Sequence, residues 1–138
     1  MSAPGEVTPY EALGGSEAVR ALVERFYDIM CEREPELAKL HPCEPAGIVA
    51  RKPRDNFALF LIGWLGGPDD YVKQFGHPRL RMRHGRVAVN IAMRDAWLRC
   101  MSQAMTERQE QGRLAAPLRA WLDQRFAEVA DFMRNVEG

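Results

Sequence analysis

The chain has 138 residues, 46% of them hydrophobic and 28% charged, the composition of one ordinary domain with a full core. Lys+Arg and Asp+Glu number 19 each, so the formal net charge is zero and the basic excess of a general nucleic-acid binder is missing. No stretch approaches the ~18 apolar residues that cross a bilayer, so the sequence predicts a single non-membrane domain over residues 1–138.

Residues 1–7 are small and polar and are expected to be flexible. Thr8-Pro9-Tyr10-Glu11 predicts a helix start: Thr caps, Pro suits the first helical position, and Glu closes a capping box. Gly14-Gly15 stops that helix almost at once. Ser16 is read as the cap of the next helix, about Glu17 to Arg33, in which Val19, Leu22, Val23, Phe26 and Met30 recur at three- and four-residue steps. Leu37 and Leu40 predict a brief amphipathic helix ending near His41-Pro42, and residues 42–53, with three prolines and Gly47, read as mostly loop.

Pro53 to about Leu65 returns to helix, with Phe57, Phe60, Leu61 and Trp64 at helical spacing, and Gly66-Gly67-Pro68 ends it. Residues 69–87 are poorly patterned and predict a loop with one or two short helical turns; long irregular segments in small domains often carry function. Asn90 is expected to cap a long helix to about Gln109, with Ile91, Trp97, Leu98, Met101 and Met105 inward. After Gly112 a last helix runs from Ala116 or Pro117 to Asn135, its stripe read as Leu118, Trp121, Leu122, Val129, Phe132 and Met133. No strand pattern or repeat competes, and the class is all-α.

The residues able to do chemistry are few. Phosphate loops, HExxH, GxSxG and calcium loops are missing from the sequence. Cys31, Cys43 and Cys100 are odd in number and show no metal spacing, so reduced thiols are expected. The first six residues carry neither the basic start nor the apolar run of a secretory signal, and the expected location is the cytoplasm. His84 stands among Arg79, Arg81, Arg83 and Arg86, cations that favour the neutral imidazole able to ligate a metal. Two readings are open at this point, a surface histidine in a basic loop and a metal ligand. Tyr27 at the edge of its helix stripe, and Trp97 on an inward face, read equally as core packing.

Gly76-His77-Pro78-Arg79-Leu80-Arg81-Met82-Arg83-His84, followed by Arg94-Asp95-Ala96-Trp97-Leu98-Arg99-Cys100-Met101, resembles the signature of group II truncated haemoglobins. Gly14-Gly15, Phe26-Tyr27 and Gly66-Gly67-Pro68 with Asp69-Asp70-Tyr71 fall at matching intervals, and the resemblance covers roughly residues 8 to 135. It implies a two-over-two helical sandwich that holds haem b through His84 as proximal iron ligand. It also implies Tyr27, His41 and Trp97 as polar groups on the distal side. Phe57, Phe60, Leu61, Trp64, Leu80, Met82 and Val87 would wall the haem, and Arg83, with Tyr71, His77 and Arg79 behind it, would face a propionate.

The implied function is binding of dioxygen, and with it carbon monoxide or nitric oxide, tightly enough for sequestration or redox use. The alternatives are a nitric oxide dioxygenase or peroxidase-type enzyme, which needs an external reductase, and a haem-free helical partner-binding domain. The chain is expected as a monomer or homodimer. Between His41 and Gly66 it is longer than the group II pattern by roughly four residues. Pro53 then falls where a small residue faces the ligand, and Phe57, one turn on, is expected to crowd the iron and partly close the pocket.

Overall fold

The computed structural model describes residues 7–76 and 90–133. Seven helices lie within them: α1 (Pro9–Leu13), α2 (Gly15–Arg33), α3 (Pro35–Ala38), α4 (Arg51–Trp64), α5 (Asp70–Phe75), α6 (Ile91–Glu110) and α7 (Ala116–Met133). The only β-type pairing among the described residues is an isolated bridge between Cys43 and Val49. None of these helices is long and apolar enough to cross a membrane.

Local sequence sets most boundaries. The Thr8 hydroxyl accepts from the Glu11 N–H at 3.1 Å, and the Glu11 carboxylate reaches back to the Thr8 backbone N–H, completing the predicted box. Asn90 caps α6 by accepting from the Met93 N–H at 2.9 Å. Ser16 behaves otherwise than expected. The helix already begins at Gly15, and the Ser16 hydroxyl pairs with Tyr10 Oη at 2.7 Å, fastening α1 to α2. The α4 helix opens two residues before Pro53; proline is accommodated there because the N–H groups of a first turn have no helical partner. Gly67 permits a close approach, since a Cβ there would stand 2.6 Å from the Tyr10 ring and 2.9 Å from the Ile62 carbonyl.

Two helix pairs make the sandwich: α2 packs on α4, α6 packs on α7, and α2 packs against α6. Phe26, Leu22, Met30 and Val19 of α2 are buried to 2% exposure or less between these layers, with Met101 and Met105 of α6 and Leu122 and Phe126 of α7. Burial of such side chains contributes on the order of 1.5–3 kcal/mol each. Polar staples lie around these contacts. Arg25 of α2 forks onto Glu107 of α6 at 2.6 and 3.1 Å, and Arg119 of α7 reaches Ser102 and Thr106 of α6.

Two stripe assignments are corrected. Ile91 and Trp121, read as inward, are 37% and 41% exposed. Ile91 is the first residue of its helix, where few neighbours surround it. Trp121 sits one position off the line through Leu122 and Phe126, and Arg125 covers its ring at 5.8 Å. Phe126, missing from the predicted stripe, is a principal core residue at 2% exposure.

Candidate functional site

Tyr27 lies on α2 next to the core residue Phe26, and its side chain is buried. Four elements meet around it. Phe26 touches it edge-on with ring centroids 4.9 Å apart, His41 from the loop after α3 does so at 5.6 Å, and Phe57 of α4 at 6.1 Å. Trp97 of α6 closes the group, 5.3 Å from Phe26 and 6.0 Å from Phe57. Phe57 then stacks on Phe60, which meets Tyr71 of α5. Phe57 is thus the hub of the aromatic group, touching Phe26, Tyr27, Phe60 and Trp97.

Burial pushes the Tyr27 phenol well above its ordinary value of 10.0, while the nearby Arg54 charge pulls it back in part. At neutral pH the group is therefore an O–H donor. Neither Tyr27 Oη nor Trp97 Nε1 hydrogen-bonds another described residue; among these residues both side chains meet other rings, and Tyr27 also meets the Arg54 cation. His41 is set differently. Its Nδ1 stands 3.1 Å from the Leu37 carbonyl, which can only accept, so Nδ1 carries the proton. In the neutral ring Nε2 is then an acceptor, and His41 donates through Nε2 only as imidazolium.

Sequence reasoning passed over Arg54. It is the one charged residue buried among those described, at 7% exposure. Its Nε donates to the Val49 carbonyl at 2.9 Å, and Nη1 donates to Asp28 at 2.8 Å and Glu24 at 3.2 Å. The guanidinium lies 5.7 Å from the Tyr27 ring centroid. Burial disfavours the Glu24 carboxylate, but hydrogen bonds from Arg51 and Arg54 outweigh that and hold its pKa below the ordinary 4.5. A signal was present in the sequence: Arg54, Ala58, Leu61 and Leu65 follow one helical stripe, and all four are buried.

The remaining predicted wall residues divide. Phe60 and Leu61 are buried, Phe57 and Tyr71 partly so. Trp64 faces α7, stacked on Phe126 with centroids 5.4 Å apart. His77, Arg79, Leu80, Met82, Arg83, His84 and Val87 lie outside the described residues.

The model of the bacterial-like globin family matches residues 8–131. The chain belongs to this family. Group 2 truncated hemoglobin YjbI of Bacillus subtilis (strain 168) is 40% identical over 99 residues, 70% of this chain and 68% of that protein. Among solved structures, the cold-adapted truncated hemoglobin of the Antarctic marine bacterium Pseudoalteromonas haloplanktis TAC125 superposes with a TM-score of 0.83 at 38% identity, covering 94% of this chain and 99% of its own. The group II 2-on-2 hemoglobin of the plant pathogen Agrobacterium tumefaciens gives 0.84 at 35% identity, covering both chains completely. This globin accordingly has the truncated two-over-two fold.

Globin membership implies haem as cofactor, and the described half of the site fits it. An aromatic wall with one buried donor, Tyr27, and one partly buried donor, Trp97, neither bonded to an acceptor among the described residues, suits a bound molecule that carries partial negative charge.

Proposed function

We propose that this globin carries haem b with His84 as the proximal iron ligand, and that it binds dioxygen, carbon monoxide or nitric oxide on the side of Tyr27 and Trp97. The observation that carries the proposal is the meeting of Tyr27, Phe57 and Trp97, from three separate helices, in one aromatic group packed against the core, with Tyr27 buried and the other two partly so. When bound, the haem supplies an iron at which a diatomic molecule coordinates and gains negative charge.

The chain's own residues do the rest. Tyr27 keeps its proton because burial opposes ionisation, and it offers that O–H to the ligand. Trp97 offers an indole N–H, which is donor only. The rings of Phe26, Phe57 and Phe60 exclude water, which strengthens both hydrogen bonds. His41, its Nδ1 proton engaged by Leu37, braces the Tyr27 ring in its neutral form and becomes a third donor when protonated. Each donor contributes on the order of 1 kcal/mol, or about fivefold in ligand release. Two such donors predict slow release, suited to oxygen sequestration or redox use more than delivery.

Titration of the apoprotein with haemin, followed by absorption spectra of the ferric, ferrous and oxygenated forms, tests the proposal. A Soret band that saturates at one haem per chain, and that His84→Ala weakens or shifts, is expected. No Soret band, or a His84→Ala spectrum identical to wild type, would sink it.

A further inference from the structure

We infer that Arg54 is a positioning residue for the ligand pocket, acting through Tyr27. The inference rests on the proposed role of Tyr27 as ligand donor. Arg54 occupies a core position of α4, its side chain 8% exposed. A guanidinium is costly to bury even when paired, and here the pairing is incomplete, since Nη2 has no hydrogen-bond partner. Its carboxylate partners are more open, Glu24 at 37% and Asp28 at 49% exposure, so the same ion pairs could form at the surface with no buried charge. An apolar side chain of similar length would fill the space. The charge therefore does something that packing does not.

What it faces is Tyr27. The guanidinium sits against the ring at cation–π range, while Phe26, His41 and Phe57 meet it from their own elements. A fixed cation beside the phenol favours negative charge on Oη and makes the hydroxyl a stronger donor. That agrees with the downward pull of Arg54 on a phenol otherwise driven upward by burial. Arg54 also ties three segments at this point: the Val49 carbonyl at the end of the loop, Asp28 and Glu24 on α2, and its own helix. Ring and loop are thereby held in one arrangement.

The test uses the haem-loaded protein with carbon monoxide as probe, because a weaker donor near the ligand oxygen raises the C–O stretching frequency. Arg54→Met is expected to raise that frequency and to speed oxygen dissociation several-fold, and Arg54→Lys to remain close to wild type. In a Tyr27→Phe background, Arg54→Met is expected to change neither reading beyond what Tyr27→Phe does by itself. Equal shifts in both backgrounds would show that Arg54 acts independently of Tyr27. An unmoved frequency for Arg54→Met, where Tyr27→Phe moves it, would overturn the inference and leave the donor role of Tyr27 intact. If Tyr27→Phe itself moves nothing, the underlying reading of the pocket fails instead. Should Arg54→Met not fold, Asp28→Asn loosens the same cation and is expected to shift the stretch the same way by less; no shift overturns the inference.

Discussion

Tyr27 is contacted by two kinds of surroundings. Toward Phe26, Phe57 and His41 its ring meets other rings, in the group that reaches Trp97. Against Arg54 it meets a buried cation wired to two carboxylates and a loop carbonyl. The aromatic contacts supply dryness, which makes a hydrogen bond strong but also raises the phenol pKa. The cationic contact restores donor strength without letting in water. The proposed donor role of Tyr27 draws on both, one made by rings and the other by a charge.

The difference between the two can be broken from either end. The largest effect is expected from Phe57→Ala, which removes the ring shared by Phe26, Tyr27, Phe60 and Trp97. Because Phe57 is only partly buried, a loss of about 2–3 kcal/mol is expected, short of the full range for a buried phenylalanine. Chemical denaturation of the apoprotein measures it. A loss under 1 kcal/mol would mean that the hub is loosely packed. Arg54→Met comes next, with about 1–2 kcal/mol lost in the same assay, since its exposed carboxylate partners can return to water.

The pH limbs separate the two sides further. Tyr27 and Cys100 both have folded-state pKa values raised by burial, Cys100 from 9.0 to about 12. Groups of this kind stabilise fully below their unfolded pKa and lose that contribution as pH rises toward the folded value. Stability is therefore expected to fall from about pH 9 upward. Cys100→Ala should flatten the limb between 9 and 12, and Tyr27→Phe the part above 10; an unchanged alkaline limb in both variants contradicts this.

The cationic side responds to acid. Glu24, with its pKa lowered, stabilises above 4.5 and loses that contribution as pH falls through the lowered value. Glu24→Gln is expected to reduce the acid limb slightly, as the group is part-exposed. Denaturant midpoints at a series of pH values check both limbs.

What the sequence disclosed follows the same division. Caps such as Thr8 and Asn90, and the stripe of α2, depend on residues three or four apart, so their physics is local and was legible. The aromatic pocket was legible chiefly through the resemblance of the Trp97 and Tyr27 segments to group II truncated haemoglobins; periodicity by itself gave only core. The stripe of α4 places Arg54 inward, but what pairs with it is not legible, because its carboxylate partners lie on another helix, 26 and 30 positions away. Ser16 misled because a hydroxyl at a helix start has two possible partners, and Tyr10 was the nearer. Phe126 was skipped in a helix whose stripe was traced through the neighbouring Trp121, and only the packing of α7 against α6 decides which of the two aromatics turns inward.

In the proposed pocket Tyr27 and Trp97 hold the ligand together. Stopped-flow oxygen dissociation from wild type, Tyr27→Phe, Trp97→Phe and the double variant tests it most directly. Each single change is expected to speed release about fivefold, and the double change to differ from the product of the two because both donors share one ligand. Release rates unchanged in all three variants would contradict the account.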